Sequence, residues 1–352
     1  MAALDVLLNL VNKNKRFSAD VRKTVLEVLD LNHANPEITQ KSLEIVQQLS
    51  LTALEESDVL CQSSSIKNIL LAGRANSNSQ VIQKSVLTII HAIGADEDDA
   101  LLLGQVGALQ DSLTTMRMHG AKNQEIMGHA CHVIWTLCVV EENAKIATME
   151  NAIVDILQAL ELFGRTGWIL KIEISNFGSV STFRVIHGNF AVKMVKRVKN
   201  SIPAHNLALS TFCFPISPFT SSHVAEHSAA AIWCLSLNEN VKQSDYLVER
   251  GVSLLLDALK AFPAKTAVGK SCFMALASIA GISDEGAVRV TDPELSGGKG
   301  RDGLMEIKTA YDPVSRDDQV TENFSLLMAE LGACSHVRTE LQNAKYSALD
   351  SF

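Results

Sequence analysis

Aromatic residues are scarce in this chain, only 5% of 352 positions, and it holds just seven prolines. Strands draw heavily on aromatic and β-branched side chains, so the scarcity argues against an all-β fold. So few prolines leave long helices unbroken. An excess of basic residues is missing too: the formal net charge is −8, whereas a nucleic-acid binder needs a basic face to displace counterions. No apolar run approaches the roughly 18 residues of a membrane span. The segment Met1–Leu10 is apolar but carries Asp5 and is followed by Lys13, Lys15 and Arg16, the reverse of a signal peptide's polarity. No C-x-x-C pair occurs among the seven cysteines Cys61, Cys131, Cys138, Cys213, Cys234, Cys272 and Cys334. Most lie in apolar helical stretches, where a free thiol behaves as a small hydrophobe. The expectation is a reducing compartment, cytoplasm or nucleus.

What is present is aliphatic and repetitive. Hydrophobic residues make up 47% of the chain and charged residues 20%, enough apolar material for a continuous core. Gln40-Lys41-Ser42-Leu43 returns 43 positions later as Gln83-Lys84-Ser85-Val86. The stretch from His129 to Cys138, with Trp135 and Leu137, has a close cousin from His227 to Ser236, with Trp233 and Leu235. The agreement continues in Glu142-Asn143-Ala144-Lys145 against Glu239-Asn240-Val241-Lys242, and then in the apolar stretches 153–160 and 252–259. Each unit reads as a short acidic-flanked helix, a glycine or turn (Gly107, Gly251), a second helix, and a longer third helix rich in Ala, Ile and Leu. A glycine there allows a sharp change of chain direction. One such unit cannot bury its apolar face alone, so neighbours must stack.

Gly107-Ala108-Leu109 and Gly251-Val252-Ser253-Leu254-Leu255 resemble the opening of the second helix in the armadillo family, and Ala230–Ser236 resembles its third helix. The resemblance implies an all-α fold, a right-handed superhelical solenoid of armadillo-type repeats; HEAT repeats, with two helices per unit, are the nearest competitor. Aligned on their core leucine, the third helices share an equivalent position at Gln48, His91, Trp135, Trp233, Met274 and Ala329, in steps of 43, 44, 98, 41 and 55. All would be ordinary steps if about 55 residues left the third and about 12 the last.

The chain is therefore divided into N-terminal repeats over 1–162, an atypical insertion over 163–222, and C-terminal repeats over 223–352 with a flexible loop at 283–318. Residues 164–222 carry seven bases against the single acid Glu173, and seven of the twelve phenylalanines fall between 163 and 219. Three readings stay open. One is a long surface loop. Another is a small β module, with Phe183–Ile186 and Phe190–Met194 flanking a turn at His187-Gly188-Asn189. The third is a translated intron: the codons of Phe212–Ser222 permit a pyrimidine tract such as precedes a splice acceptor, and the repeat pattern resumes at His223. In the loop at 283–318, Ser296-Gly297-Gly298-Lys299-Gly300-Arg301 lacks the spacing and the preceding strand of a phosphate loop.

His129 and His132 stand i, i+3 on a helix and could share a ligand, but no second cluster in the sequence completes a tetrahedral set; no metal and no cofactor is expected. The acids Asp96–Asp99 suit a solvated helix N-terminus and lack the spaced ligands of a calcium loop. No catalytic constellation emerges, and the chain reads as non-enzymatic.

In armadillo proteins the third helices line a concave groove that binds extended peptides, and the importin-alpha branch places Asn four residues after Trp to clamp the peptide backbone. Here Val139 and Leu237 stand at that spacing, which disfavours a nuclear-import receptor. The resemblance makes Gln48, His91, Trp135, Val139, Trp233, Leu237 and Met274 the groove residues, and the acidic charge suits a basic protein or peptide partner. Two functions follow: an interaction scaffold, or a chaperone or assembly factor that holds a client in the groove.

Overall fold

The computed structural model describes residues 2–13, 19–50, 59–164, 169–177, 180–185, 210–215, 220–238, 247–294 and 301–343. They form two units, 1–164 with 221–352, and 165–220.

The described residues of the first unit hold helices and their turns, laid out in six successive groups. The first group is α1 (Ala2–Lys13), α2 (Ala19–Asn32) and α3 (Pro36–Ser50). The second opens on a 3-10 turn (Val59–Cys61) and continues with α4 (Ser63–Ala75) and α5 (Gln80–Ile93). Next come α6 (Glu97–Gln105), α7 (Ala108–His119) and α8 (Gln124–Cys138). The fourth group is α9 (Glu141–Met149), α10 (Ala152–Phe163) and α11 (Ser222–Ser236). A π turn (Leu247–Gly251) leads the fifth, with α12 (Val252–Ala261) and α13 (Thr266–Ile282). The sixth is α14 (Asp284–Thr291), α15 (Gly303–Tyr311) and α16 (Asp318–Ala333), after which α17 (Ser335–Asn343) follows. The third helices α3, α5, α8, α11, α13 and α16 pack each upon the next. This all-helical stacking is the armadillo-like arrangement the sequence pattern implies.

Local chemistry fixes where these helices begin. Side chains of Ser79, Asp96, Asn123, Ser221, Ser283, Asp302 and Asp317 accept hydrogen bonds from backbone N–H groups of the first turns of α5, α6, α8, α11, α14, α15 and α16, satisfying donors a bare helix end leaves orphaned. Gly107, before α7, has φ +90°, a left-handed conformation that favours glycine. Asn151 takes the same place before α10 with φ 58°. Gly251 differs from expectation: its φ is −62°, so no reversal there depends on glycine, and the π turn runs straight into α12.

Successive groups are joined in two ways. The core is aliphatic: Ile93, Leu137, Leu235, Leu276 and Leu331, one from each of five third helices, are at most 2% exposed. Polar staples cross between groups. Asn143 donates to the carbonyls of Ala100 and Leu137 at 2.8 and 3.0 Å, closing the C-terminal end of α8, and Asn323 donates to Lys270 O at 2.9 Å. Along the second helices runs a ladder of ion pairs: Arg74 with Asp111, Arg117 with Asp155, Arg250 with Glu161, and Arg301 with Asp257. The more exposed pairs, Arg74 with Asp111 and Arg117 with Asp155, are each worth at most about 1 kcal/mol, so they set register more than stability.

The insertion leaves the first unit at a defined place. α10 ends at Phe163, α11 is capped by Ser221, and Ser221 N–H donates to Phe163 O at 2.9 Å. The two edges of the interrupted connection thus meet, and α10 packs on α11 as a second helix on its third.

The segment expected as a flexible loop, 283–318, is instead mostly ordered: it contains α14, α15 and a 3-10 turn at Asp312–Val314. Its glycines pack. A Cβ at Gly286 would lie 2.3 Å from Ile279 O, and one at Gly303 would lie 1.9 Å from Val290 O. Its acids cap or flank helix starts, as Asp302 does for α15. The extra length of this repeat falls between α14 and α15, and the glycine-rich 296–300 lies outside the described residues.

The second unit contains an antiparallel sheet of β1 (Ile169–Phe177), β2 (Val180–Val185) and β3 (Ser210–Pro215), in the order β2-β1-β3. Phe183, Arg184 and Val185 pair with Ile174, Glu173 and Ile172. Their partner strand precedes them in the chain; the turn at 187–189 and the second strand at 190–194 that the sequence suggested lie outside the described residues. All strand among the described residues is in this unit, so the all-α description applies to the first.

Candidate functional site

The third helices carry the positions to which the resemblance points. Gln48 on α3 is exposed, while His91 on α5, Trp135 on α8, Trp233 on α11 and Met274 on α13 are each half-buried at the edge of the core. Val139 and Leu237, where an amide would stand, are 66% and 58% exposed. This face therefore offers aromatic and aliphatic groups where an importin-like face offers a hydrogen-bonding clamp. Trp233, Leu237 and Met274 line an open depression of about 270 Å³, continued on α13 and α16 by Gly281, Leu326 and Glu330.

Beside Trp135 the same face gathers five histidines from three helices. His91 comes from α5, His129 and His132 from α8, and His223 and His227 from α11. The His91 and His132 rings lie 3.6 Å apart between centroids, and those of His132 and His227 3.9 Å apart and nearly parallel, at 7°. Trp135 stacks at 5.4 Å from His132. His223 stands edge-on to His227, and their Nε2 atoms are 3.1 Å apart. His91 Nδ1 meets Thr136 Oγ1 at 3.1 Å. Two polar atoms in this group are buried without a hydrogen-bond partner, His227 Nδ1 and Trp135 Nε1.

Packing makes room for the cluster. A Cβ on Gly128 would lie 2.6 Å from His223 Nδ1, so a glycine one turn before His132 is what lets His223 close in. The cluster extends the sequence pair His129 and His132, which lacked a second set of ligands. That set comes from the next third helix, 91 or more positions away in sequence because the insertion intervenes. The repeat alignment carried the signal: it places His129 and His227 at equivalent positions on adjacent helices.

Burial makes these imidazoles weak bases. It holds His132 down to about 3 and His227 to about 2, with the neighbouring histidines adding to the shift. His91, His129 and His223 are lowered chiefly by burial as well, and Lys84 and Glu125 act on His129 in opposite directions. In the unfolded chain a histidine protonates near 6.5. Below that value the unfolded chain binds more protons than the fold, so this contribution is full above 6.5 and is lost as pH falls toward the folded values. Between about pH 7.5 and about pH 5, thermal or urea unfolding is expected to show a loss of about 2 kcal/mol, allowing for the solvent that reaches His132. His227→Gln should flatten that slope, and equal slopes in the two proteins would mean that the rings do not stack in solution.

The described cysteines, Cys61, Cys131, Cys138, Cys234, Cys272 and Cys334, are buried. Burial pushes the thiols of Cys131 and Cys234 up to about 12 and raises Cys138 and Cys272 as well. These four thiols pack as small hydrophobes and offer no thiolate. Among the described residues no helix is long and apolar enough to cross a membrane.

No family model matches the chain, but solved structures share its fold. One concerns the interaction between cadherin and beta-catenin, an armadillo repeat protein, and the conserved phosphorylation switch that controls it. It superposes with a TM-score of 0.65 at 13% identity, covering 94% of this chain and 56% of that one. This chain thus spans little more than half the length of that structure. Two engineered proteins superpose with TM-scores of 0.55 and 0.52, both at 12% identity, each covering 88% of this chain and 97% and 98% of their own. The fold is an armadillo-like helical solenoid.

Proposed function

We propose that this chain is a non-enzymatic scaffold that binds a peptide or partner protein along its third-helix face, on Gln48, His91, Trp135, Val139, Trp233, Leu237 and Met274. The observation that carries this reading is the row of half-exposed and exposed apolar groups at equivalent positions of successive third helices, with Trp135 and Trp233 at its centre. Large aromatic side chains at the middle of a face dominate binding energy elsewhere. The beta-catenin neighbour, whose interaction with cadherin is the subject of that structure, supports a protein as the partner class. With Val139 and Leu237 in place of an amide clamp, recognition rests on the partner's side chains. A segment of alternating apolar and basic residues fits best: aliphatic groups for the depression beside Trp233, and Lys or Arg stems over the indoles, in keeping with the net charge of −8.

The test is the double variant Trp135→Ala with Trp233→Ala, assayed against the principal partner recovered by affinity purification. Both indoles are partly exposed, so helicity by circular dichroism should survive while affinity falls by more than about tenfold, the equivalent of 1.4 kcal/mol. Unchanged affinity would move the site off this face. A stable stoichiometric complex is expected; contacts made only with unfolded clients would favour the chaperone reading instead.

A further inference from the structure

We propose that His132, His223 and His227 form a three-histidine site for a divalent transition metal of the zinc class, set on the third-helix face between α8 and α11. One ring nitrogen from each lies within 4.8 Å of the others, and no other group of three or more His, Cys, Asp or Glu residues placed to hold an ion occurs among the described residues. Tetrahedral zinc with nitrogen ligands at about 2.0–2.1 Å needs those nitrogens about 3.4 Å apart. The His223 and His227 nitrogens already meet at 3.1 Å. No separation must close by more than about 1.4 Å, a movement within reach of side-chain rotation. The nearly parallel rings of His132 and His227 cannot both aim at one ion, so binding tilts one of them out of the stack.

Further features point the same way. His223 and His227 stand i, i+4 on α11, so they share one face of that helix, while His132 enters from α8. Imidazole is the donor type that suits zinc, copper and nickel, and the buried cysteine thiols keep sulfur out of competition. A metal ligand must be a neutral imidazole, which is the state that burial imposes here. His227 is 4% exposed, with its Nδ1 lacking a hydrogen-bond partner, an arrangement that costs stability unless something else repays it. His223 is exposed, which opens the fourth coordination position to water or to a donor from a bound partner. Three protein ligands with one open position is the pattern of a reactive or bridging zinc, as opposed to a closed structural one. The proposal is independent of peptide binding: a chain that binds no peptide here would still bind the ion.

Isothermal titration of the full chain with zinc chloride, after chelator treatment and dialysis, tests the site directly. One ion per chain at micromolar affinity or tighter is expected. His223→Ala removes an exposed first-turn side chain and leaves the fold intact; it should weaken binding by more than about 100-fold, beyond what loss of an outer-shell partner brings. Gly128→Ala keeps all three ligands but places a methyl group 2.6 Å from His223 Nδ1, and it too should weaken binding by displacing that ring. Cobalt substituted for zinc should show the intense visible bands of tetrahedral nitrogen ligation. Zinc affinity unchanged in His223→Ala, the absence of a stoichiometric ion, or a weak octahedral cobalt spectrum would each overturn the proposal.

Discussion

Leu235→Ala is expected to cost about 2–5 kcal/mol of folding stability, with Leu137→Ala alike. Both leucines are fully buried, and Leu137 reaches beyond its own helix. A Cβ on Gly94 would lie 3.1 Å from Leu137 Cδ2, so the leucine of α8 fills space against the end of α5 in the preceding repeat. A cavity there weakens an interface between repeats as well as a helix. In a stack where each repeat contacts only its neighbours, the loss should show as early unfolding of the repeats flanking the substitution. Hydrogen exchange of the Leu137→Ala protein should therefore report loss of protection first in α5 and α8, with α16 and α17 last. Uniform loss of protection along the chain would mean that the array unfolds as one cooperative body.

Deleting 165–220 and joining Gly164 to Ser221 is expected to give a folded and more stable protein. The junction needs little rebuilding, because Phe163 O and Ser221 N are already hydrogen-bonded at 2.9 Å. A flexible closed segment of this length costs about 3–4 kcal/mol in closure entropy, and the second unit's own folding offsets part of that. The same boundary is where an intron would fall, given the seven bases against one acid and the seven phenylalanines clustered there. Amplifying the transcript across codons 160–226 is expected to give a dominant product shorter by the codons for 165–220. A long product alone, with tryptic peptides from 172–193 in the native protein, would instead make the three-stranded sheet a genuine module. Destabilisation of the deletion protein would show that the repeats lean on it.

The repeat array was legible in the sequence because its determinants are periodic and local. Trp135 and Leu137 recur as Trp233 and Leu235 with the same neighbours, and the third helices stand where that alignment puts them. The last repeat was misread for a physical reason: Gly286 and Gly303 look like breakers, yet their hydrogens face the carbonyls of Ile279 and Val290, where any Cβ would collide. Composition alone does not separate a glycine that bends from one that packs. The third-helix positions Gln48, His91, Trp135, Trp233 and Met274 were legible as positions, since register fixes which side chains share a face. The histidine cluster was half visible: His129 and His132 stand as a pair on one helix, whereas His223 and His227 arrive from the next one. The smaller determinant, Gly128 beneath His223, has no sequence signal at all, because only the close approach of two helices gives it a role.

The meeting of Phe163 and Ser221 has a consequence for how such a chain can change. A helical array whose connection is closed by a backbone hydrogen bond, independently of what is threaded between, behaves as a socket. Any domain whose own ends lie close together can be fitted there without disturbing the helices on either side, since domain insertion succeeds where the flanking backbone is already satisfied. Because α11 opens immediately downstream with His223 in its first turn, a domain placed in that socket would be tethered within a turn of the histidine cluster. The interrupted repeat is therefore the natural address for fusing a reporter, a second binding module or a catalytic domain to this scaffold.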